Sequence, residues 1–127
     1  TEINAHFSAG SLADIARSLA TAKSAFASEA LAALLRAAPL SASCTIEIIR
    51  RLRGHATMRE ALDLEYRFTW RAMEHADFLE GIRAAIIDKD RTPRWRHAGL
   101  GAVAAEDVTR MLMPLGAEAL TFGEDQP

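Results

Sequence analysis

Apolar residues recur every three or four positions along most of the chain, the spacing that places them on one face of an α-helix. We find no alternating run long enough to predict a β-strand, and no internal repeat. The pattern predicts an all-α fold, a compact bundle of about six helices in a single domain over residues 1–127. The expected helices cover residues 11–20 and 24–38, a segment between Ser41 and Gly54, residues 57–75 and 77–87, and a last segment that carries Val108, Met111 and Leu112.

Five of the predicted helices have capping signals at their start, and Ser24 is the one for the second helix. Ser11 is a good N-cap residue, since its hydroxyl can accept a backbone N–H of the first turn. Thr57 with Glu60 has the spacing of a capping box, and Asp77 with Glu80 repeats that spacing. The second pair predicts a new helix directly after the long one, with only a short break between them.

Proline and glycine predict where several helices end. Pro39 disfavours helical geometry in the residue before it, so the second helix should stop near residue 38. Ser41 and Ser43 then offer caps for the third helix, which Gly54 can end. Pro114 should end the last helix. Residues 1–10 lack a clear period, and residues 88–101 are expected to form a loop.

Glu65 is the one charged residue that breaks the pattern of the longest helix. At about 100° per residue it falls among Leu62, Phe68 and Ala72, away from the charged side. A carboxylate in the core must be paired or change its protonation. We interpret Glu65 as a structural carboxylate, with Arg83 on the next helix as its expected partner, and keep a site acid as the alternative.

Composition and charge exclude several broad classes of protein. Half of the residues are hydrophobic and 25% are charged, which fits a folded domain. The net charge of −2 does not favour nucleic acid as a partner. We expect no membrane partner, because no apolar run approaches the ~20 residues of a span. The single Cys44 forms no internal disulfide, so we expect a cytoplasmic protein.

The residues that usually carry chemistry are scattered. The four histidines have no partner at metal-ligand spacing, so no metal site is predicted. Cys44 is expected to be a buried apolar residue, and Trp70 to serve packing. The basic stretch Arg50–His55 is more simply a solvated face than an anion site. No pair of nucleophile and base is evident, so no catalytic residue is assigned.

A basic cluster follows the fifth predicted helix. Lys89, Arg91, Arg94 and Arg96 lie within eight residues, together with Trp95. Cationic donors beside an aromatic surface suit a phosphorylated nucleotide. The alternative is a solvated loop whose tryptophan packs back on the core, and the residues alone favour it.

The same stretch resembles a known family. "DFLEGIRAAIIDKDRTPRW", residues 77–95, is similar to the C-terminal signature of 3-hydroxyisobutyryl-CoA hydrolases, within the enoyl-CoA hydratase/isomerase (crotonase) superfamily. Three further stretches extend the resemblance over most of the chain: "FSAGSLADIARSL", "LDLEYRFTWRAM" with Glu65, Tyr66 and Arg67, and "DVTRMLMPLG".

The resemblance implies that this is the C-terminal helical domain of an acyl-CoA hydrolase or an enoyl-CoA hydratase/isomerase, without the longer N-terminal core that holds the catalytic groups. The domain would be inactive alone, would cap that core and would aid oligomerisation, with a homo-oligomer left open. No cofactor is expected to bind tightly, and a coenzyme A thioester would be the substrate of the parent enzyme.

The resemblance also implies which residues approach coenzyme A. In the wider superfamily a lysine-containing turn followed by an aromatic residue lies near the CoA nucleotide. Lys89 and Trp95 match those positions, with Arg91 and Phe78 as weaker candidates. The turn is longer here than the usual crotonase spacing. A free-standing helical adaptor is the alternative function.

Overall fold

The computed structural model describes residues 1–54 and 56–123, and over these ranges it is helical and contains no β-strand. The prediction of an all-α fold is therefore confirmed. The described part of the chain has seven α-helices, one more than expected, together with a π-helical turn and two 3₁₀ turns. These elements are α1 Glu2–Phe7, α2 Leu12–Thr21, α3 Ala25–Arg36, α4 Pro39–Arg51, α5 Met58–His75, α6 Phe78–Ile82 with the π-helical turn Arg83–Ile87, the 3₁₀ turn Leu100–Ala102, α7 Ala105–Met111 and the 3₁₀ turn Gly116–Glu118.

Three of the predicted caps form as expected. Ser24 Oγ accepts the Ala27 N–H at 3.1 Å and starts α3. Ser11 Oγ accepts the Asp14 N–H at 3.1 Å and starts α2. Thr57 and Glu60 form a full capping box: the Thr57 N–H donates to Glu60 Oε2 at 2.6 Å, and the Glu60 N–H donates to Thr57 Oγ1 at 3.2 Å. These bonds satisfy backbone donors that a helix start leaves without partners.

The start of α4 differs from the prediction. Pro39 is its first residue and Ala38 its N-cap, with no side-chain capping bond, so the caps predicted at Ser41 and Ser43 are wrong. Proline suits this position because its fixed φ is already helical and the missing N–H would have no partner there.

Among the described helices none alone could span a membrane. The pair α3 and α4 has the length and composition of a span, but the two helices are bent by 118° relative to each other.

The interior consists of two apolar clusters. One, formed by Ile15, Leu19 and Ala27, joins α2 to α3. Burying side chains of the size of isoleucine or leucine stabilises a fold by roughly 1.5–3 kcal/mol each. The second cluster joins α4, α5 and α7 and contains Leu40, Cys44, Ala72, Ala76 and Met111.

Cys44 is only 1% exposed, so the prediction of a buried apolar residue is confirmed. Burial, the largest cause, raises the pKa of its thiol to about 11, and Glu47 adds to the shift. The thiol is therefore neutral at pH 7, which makes it a poor nucleophile.

Two arginines of α5 hold the end of α7. Arg67 donates to the Leu112 carbonyl at 3.1 Å, and Arg71 donates to the carbonyls of Met111 at 2.9 Å and Met113 at 2.7 Å. These carbonyls lack helical partners, and cations are favoured at a helix C-terminus. The charged side of α5 thus fixes the segment before Pro114, where α7 was expected to end.

Candidate functional site

The basic turn after α6 is organised by two carboxylates, Asp77 and Glu80, that were expected to cap a helix. Asp77 makes no side-chain capping bond; its Oδ1 instead accepts the Arg96 N–H at 2.8 Å. Glu80 accepts the Arg94 N–H at 2.7 Å and a bidentate pair of bonds from Arg83. The predicted capping box is therefore wrong, because the returning loop occupies both acceptors.

Arg83 is the centre of this arrangement. Its guanidinium donates to Glu80 at 2.8 and 2.7 Å, to Asp88 at 2.8 Å and to Asp90 at 2.7 Å. It also reaches the Thr92 carbonyl at 3.4 Å. One guanidinium thus ties α6 to both ends of the turn, and we call Arg83 with these three carboxylates the Arg83 cluster.

The charges of the Arg83 cluster shift each other's protonation. Hydrogen bonds from Arg83, and then from the Arg94 N–H, lower the pKa of Glu80 to about 2. Hydrogen bonding to Arg83, and then to the Thr92 N–H, lowers the pKa of Asp90. The same carboxylates raise the pKa of the Arg83 guanidinium. Glu80, Asp90 and Arg83 are therefore charged at neutral pH.

Glu65 does not belong to this cluster. Its side chain is exposed, and Arg83 is bound to other carboxylates, so the prediction of a core carboxylate paired with Arg83 is wrong. The reason is that α5 buries a neighbouring face, which includes Leu64 and Ala72, and leaves the side with Glu65 in solvent.

Lys89 and Arg91 alternate with the two aspartates of the turn and are exposed. Both have left-handed backbone angles, with φ of 55° and 58°, a region that non-glycine residues rarely adopt. The Arg91 N–H donates to the Ala84 carbonyl at 3.0 Å, which anchors the turn to the π-helical segment. Both side chains are exposed, and in the described part of the chain neither has an ion-pair partner.

Trp95 packs on α6 at Gly81. A Cβ placed at Gly81 would lie 3.7 and 3.8 Å from two carbons of the indole ring, which is ordinary contact distance. Trp95 and Phe78 both line an apolar groove of about 460 Å³, together with Phe68 and Ile82. Phe78 is 55% exposed. The structure thus brings Trp95 and Phe78 together and leaves Lys89 and Arg91 outside the residues that line the groove.

Arg96 has a structural task. It donates through Nε to the Ala76 carbonyl at 2.9 Å and through Nη2 to the Glu74 carbonyl at 2.8 Å, and so caps the end of α5. It is therefore not part of an open cationic cluster around Trp95. The available cations of the stretch are Lys89, Arg91 and the exposed Arg94.

The pair of His97 and Asp107 was not foreseen. His97 Nε2 lies 3.2 Å from Asp107 Oδ2, which also accepts the Ala104 N–H at 2.9 Å. That backbone bond, followed by the histidine, lowers the pKa of Asp107. The only signal in the sequence was an acidic residue in the first turn of α7. It did not reveal the contact, because His97 was predicted to lie in a loop and Asp107 in a helix.

His55 and residues 124–127 lie outside the described part of the chain, and within that part no group of potential metal ligands is found.

Comparison with known proteins decides the family. A profile of enoyl-CoA hydratase/isomerase proteins matches residues 1–112. The chain belongs to this family. Membership of the crotonase superfamily, inferred above from residues 77–95, is thereby confirmed.

Other members of the enoyl-CoA hydratase/isomerase family resemble the chain over most of its length. The mitochondrial 3-hydroxyisobutyryl-CoA hydrolase of Gallus gallus is 40% identical over 116 residues, 90% of the chain. The human protein of the same name is 36% identical over 122 residues, 95% of the chain. A crystal structure described as an enoyl-CoA hydratase from Rhodobacter sphaeroides 2.4.1 is 58% identical, with a TM-score of 0.92 over 95% of the chain.

The chain is short beside these family members. It spans 29% of the chicken protein, 31% of the human protein and 36% of the solved bacterial chain. About two-thirds of each relative therefore has no counterpart among these residues.

Proposed function

We propose that the chain is the C-terminal helical region of a longer acyl-CoA thioesterase that resembles 3-hydroxyisobutyryl-CoA hydrolase. The observation that carries this proposal is the match of 36–40% identity, over nearly the whole chain, to hydrolases of which it spans under a third. In this proposal the region caps the catalytic core, contributes to binding of coenzyme A and is inactive by itself.

The division of labour follows from the chemistry of thioester cleavage. That reaction needs donors placed in advance where negative charge develops on the thioester oxygen. In the described residues His97 pairs with Asp107 at 3.2 Å and His75 lies 3.8 Å from Glu74, but neither histidine is bonded to a serine, threonine or cysteine side chain. His6 is bonded to Ser18 at 2.7 Å, and no carboxylate pairs with His6 in the described residues. The reacting groups are therefore assigned to the rest of the parent protein.

The edge for coenzyme A is assigned to Lys89, Arg91, Trp95 and Phe78. Lys89 and Arg91 supply exposed cations for phosphate groups, and Trp95 and Phe78 supply ring surfaces for a purine. The anchored backbone supports this assignment, since a turn already held in shape loses less entropy when a ligand binds.

The names of the relatives point to two reactions, hydrolysis and hydration. An assay of the full-length protein separates them. Release of free coenzyme A from 3-hydroxyisobutyryl-CoA, detected with a thiol reagent, is the expected result. Loss of the enoyl absorbance of crotonyl-CoA without thiol release would favour a hydratase.

The contribution of the CoA edge is tested in the same protein. Lys89→Ala with Trp95→Ala should raise the KM for acyl-CoA with a smaller effect on kcat, because the nucleotide is remote from the reacting carbonyl. Lys23→Ala is the matched control, since Lys23 is the other lysine of the chain and is also exposed. An unchanged KM in the double variant would rule out the contact.

The reading frame tests the alternative of a free-standing adaptor. A coding sequence with a ββα-rich segment upstream of Thr1 supports the enzyme. An initiator codon next to Thr1 would favour the adaptor.

A further inference from the structure

Two carboxylates at the start of α6 hold the backbone on either side of Trp95. Glu80 Oε2 accepts the Arg94 N–H at 2.7 Å. Asp77 Oδ1 accepts the Arg96 N–H at 2.8 Å. These bonds reach 14 and 19 residues along the chain, so they are tertiary contacts and not part of a local turn. Trp95 therefore lies between two anchored neighbours.

The ring of Trp95 contacts the same side of α6 as its backbone. Residues three and four positions apart are neighbours on a helix surface, so Asp77, Glu80 and Gly81 adjoin one another. A Cβ placed at Gly81 would lie 3.7 Å from the indole of Trp95, which is ordinary contact distance. One side of α6 thus fixes both the path of the backbone at Trp95 and the position of its ring.

Asp77 is the more informative of the two carboxylates, because it does not belong to the Arg83 cluster. It is 4% exposed, and its Oδ2 has no hydrogen-bond partner among the described residues. A buried polar atom without a partner loses its hydration and gains no bond in return. Since Asp77 also makes no side-chain bond that caps α6, the loop that it holds explains this residue better than the stability of the helix does.

Holding Trp95 in advance matters for a ligand that stacks on it. Trp95 lines the groove of about 460 Å³ together with Phe78, and in the proposed function both rings contact coenzyme A. A ligand that must first order a mobile ring loses binding free energy. Fixing the backbone of one residue costs about as much as a roughly tenfold change in affinity.

We propose that Asp77 is a positioning residue for the binding of acyl-CoA: with Glu80 it holds Trp95 against α6 before the ligand arrives. Asp77 acts through Trp95 and takes no part in the reaction of the thioester. The inference rests on the proposed function, because it requires that Trp95 contacts coenzyme A.

A double-mutant cycle in the full-length protein tests the role of Asp77. Trp95→Ala should raise the KM for acyl-CoA. Asp77→Ala should raise the KM by roughly three- to tenfold, with a smaller effect on kcat. In the Trp95→Ala background Asp77→Ala should leave the KM unchanged, because the side chain that it positions is gone. A general structural role of Asp77 would instead raise the KM by the same factor in both backgrounds, and this result would overturn the proposal.

The conservative variant Asp77→Asn should restore most of the affinity. The amide oxygen of asparagine can still accept the Arg96 N–H, so the KM should be closer to that of the unmodified protein than to that of Asp77→Ala. A KM as high as that of Asp77→Ala would contradict a role that depends on this acceptor.

Hydrogen exchange tests the anchoring without any variant. In the ligand-free full-length protein the amides of Arg94 and Arg96 should exchange slower than in an unfolded chain by a factor of roughly ten or more. Protection that appears only when acyl-CoA is bound would overturn the proposal, because the ligand would then order Trp95. This measurement decides the matter even if Asp77→Ala fails to fold.

Two control variants separate positioning from a loss of stability. Ser24→Ala also removes the acceptor of a backbone N–H, that of Ala27, at the other end of α3 from Arg36 in the groove. It should lower the Tm and leave the KM unchanged. Trp70→Ala should also leave the KM unchanged: Trp70, which we expected to serve packing, is 50% exposed and does not line the groove. Controls that raise the KM as much as Asp77→Ala would overturn the proposal.

The outcomes also separate this inference from the proposed function. If Trp95→Ala raises the KM and Asp77→Ala does not, Asp77 is not a positioning residue and the contact of Trp95 with coenzyme A stands. If Trp95→Ala leaves the KM unchanged, that contact is wrong and the role of Asp77 falls with it. The choice between hydrolysis and hydration is decided by the product and does not enter this cycle.

Discussion

Replacement of Gly81 by alanine should stabilise the chain, although the indole of Trp95 lies directly over it. An added Cβ would be 3.7 Å from the nearest indole carbon, so the methyl group touches the ring without displacing it. Alanine is favoured over glycine within a helix by roughly 0.5–1 kcal/mol. We therefore expect a gain of about 1 kcal/mol in the free energy of unfolding, or roughly 3–5 °C in Tm.

A larger residue should have the opposite effect. Gly81→Leu extends past Cβ into the volume that the indole occupies, and overpacking of this kind costs roughly 1–3 kcal/mol. In a Trp95→Ala background the obstacle is gone, so the same leucine should be tolerated. The two sites should therefore show a coupling free energy of about 1 kcal/mol or more.

Urea unfolding of the four proteins of this cycle, followed by far-UV circular dichroism, measures the coupling. A matched slope of free energy against urea would show that the variants lose the same surface on unfolding. If Gly81→Ala destabilises the chain, or if Gly81→Leu costs the same with and without Trp95, the indole does not pack on α6 as described. The assignment of Trp95 to a preformed CoA edge would then lose its support.

Two further predictions concern the arginines. Glu80→Gln should lower the Tm at pH 7 and reduce the dependence of the Tm on pH. Because the pKa of Glu80 is lowered, the stabilisation by its carboxylate is present above about pH 4.5 and is lost as pH falls towards 2. Calorimetry between pH 2 and 7 measures this, and identical profiles of the two proteins would exclude the bond to Arg83. Arg71→Met should cost about 1–3 kcal/mol, because two short charged bonds to the carbonyls of Met111, the last residue of α7, and Met113 are lost. Urea unfolding with Arg17→Met as the control, an exposed arginine paired only with Asp14 in the described residues, would refute this if both changes cost the same.

The helices could be predicted from the sequence because their causes are local. The periodic apolar residues, the Thr57 cap with Glu60 and the proline after α3 each act within a few positions. Helix α1 was missed because six residues are too few to show a period; its start is marked only by Thr1, whose hydroxyl accepts the Asn4 N–H at 3.3 Å.

The candidate site could be predicted less well because its contacts cross the break between α6 and the loop. Lys89 and Trp95 could be named from the sequence, but the partners of Arg83 could not, since Glu80, Asp88 and Asp90 compete with Glu65 as equivalent carboxylates. The prediction that Glu65 lies in the core was wrong for a related reason. A helical wheel identifies an apolar side, but it does not tell whether that side faces the same domain or a different partner.

The Arg83 cluster separates the positive and negative charges of a stretch that is neutral in sequence. Residues 88–91, Asp-Lys-Asp-Arg, carry two charges of each sign and no net charge. Both aspartates bond to Arg83, while Lys89 and Arg91 have no ion-pair partner in the described residues. The turn is therefore polarised: its negative charges are held at Arg83, and the field of Lys89 and Arg91 should reach about 8 Å into a solution of physiological salt. A count of charges along the chain does not reveal this separation.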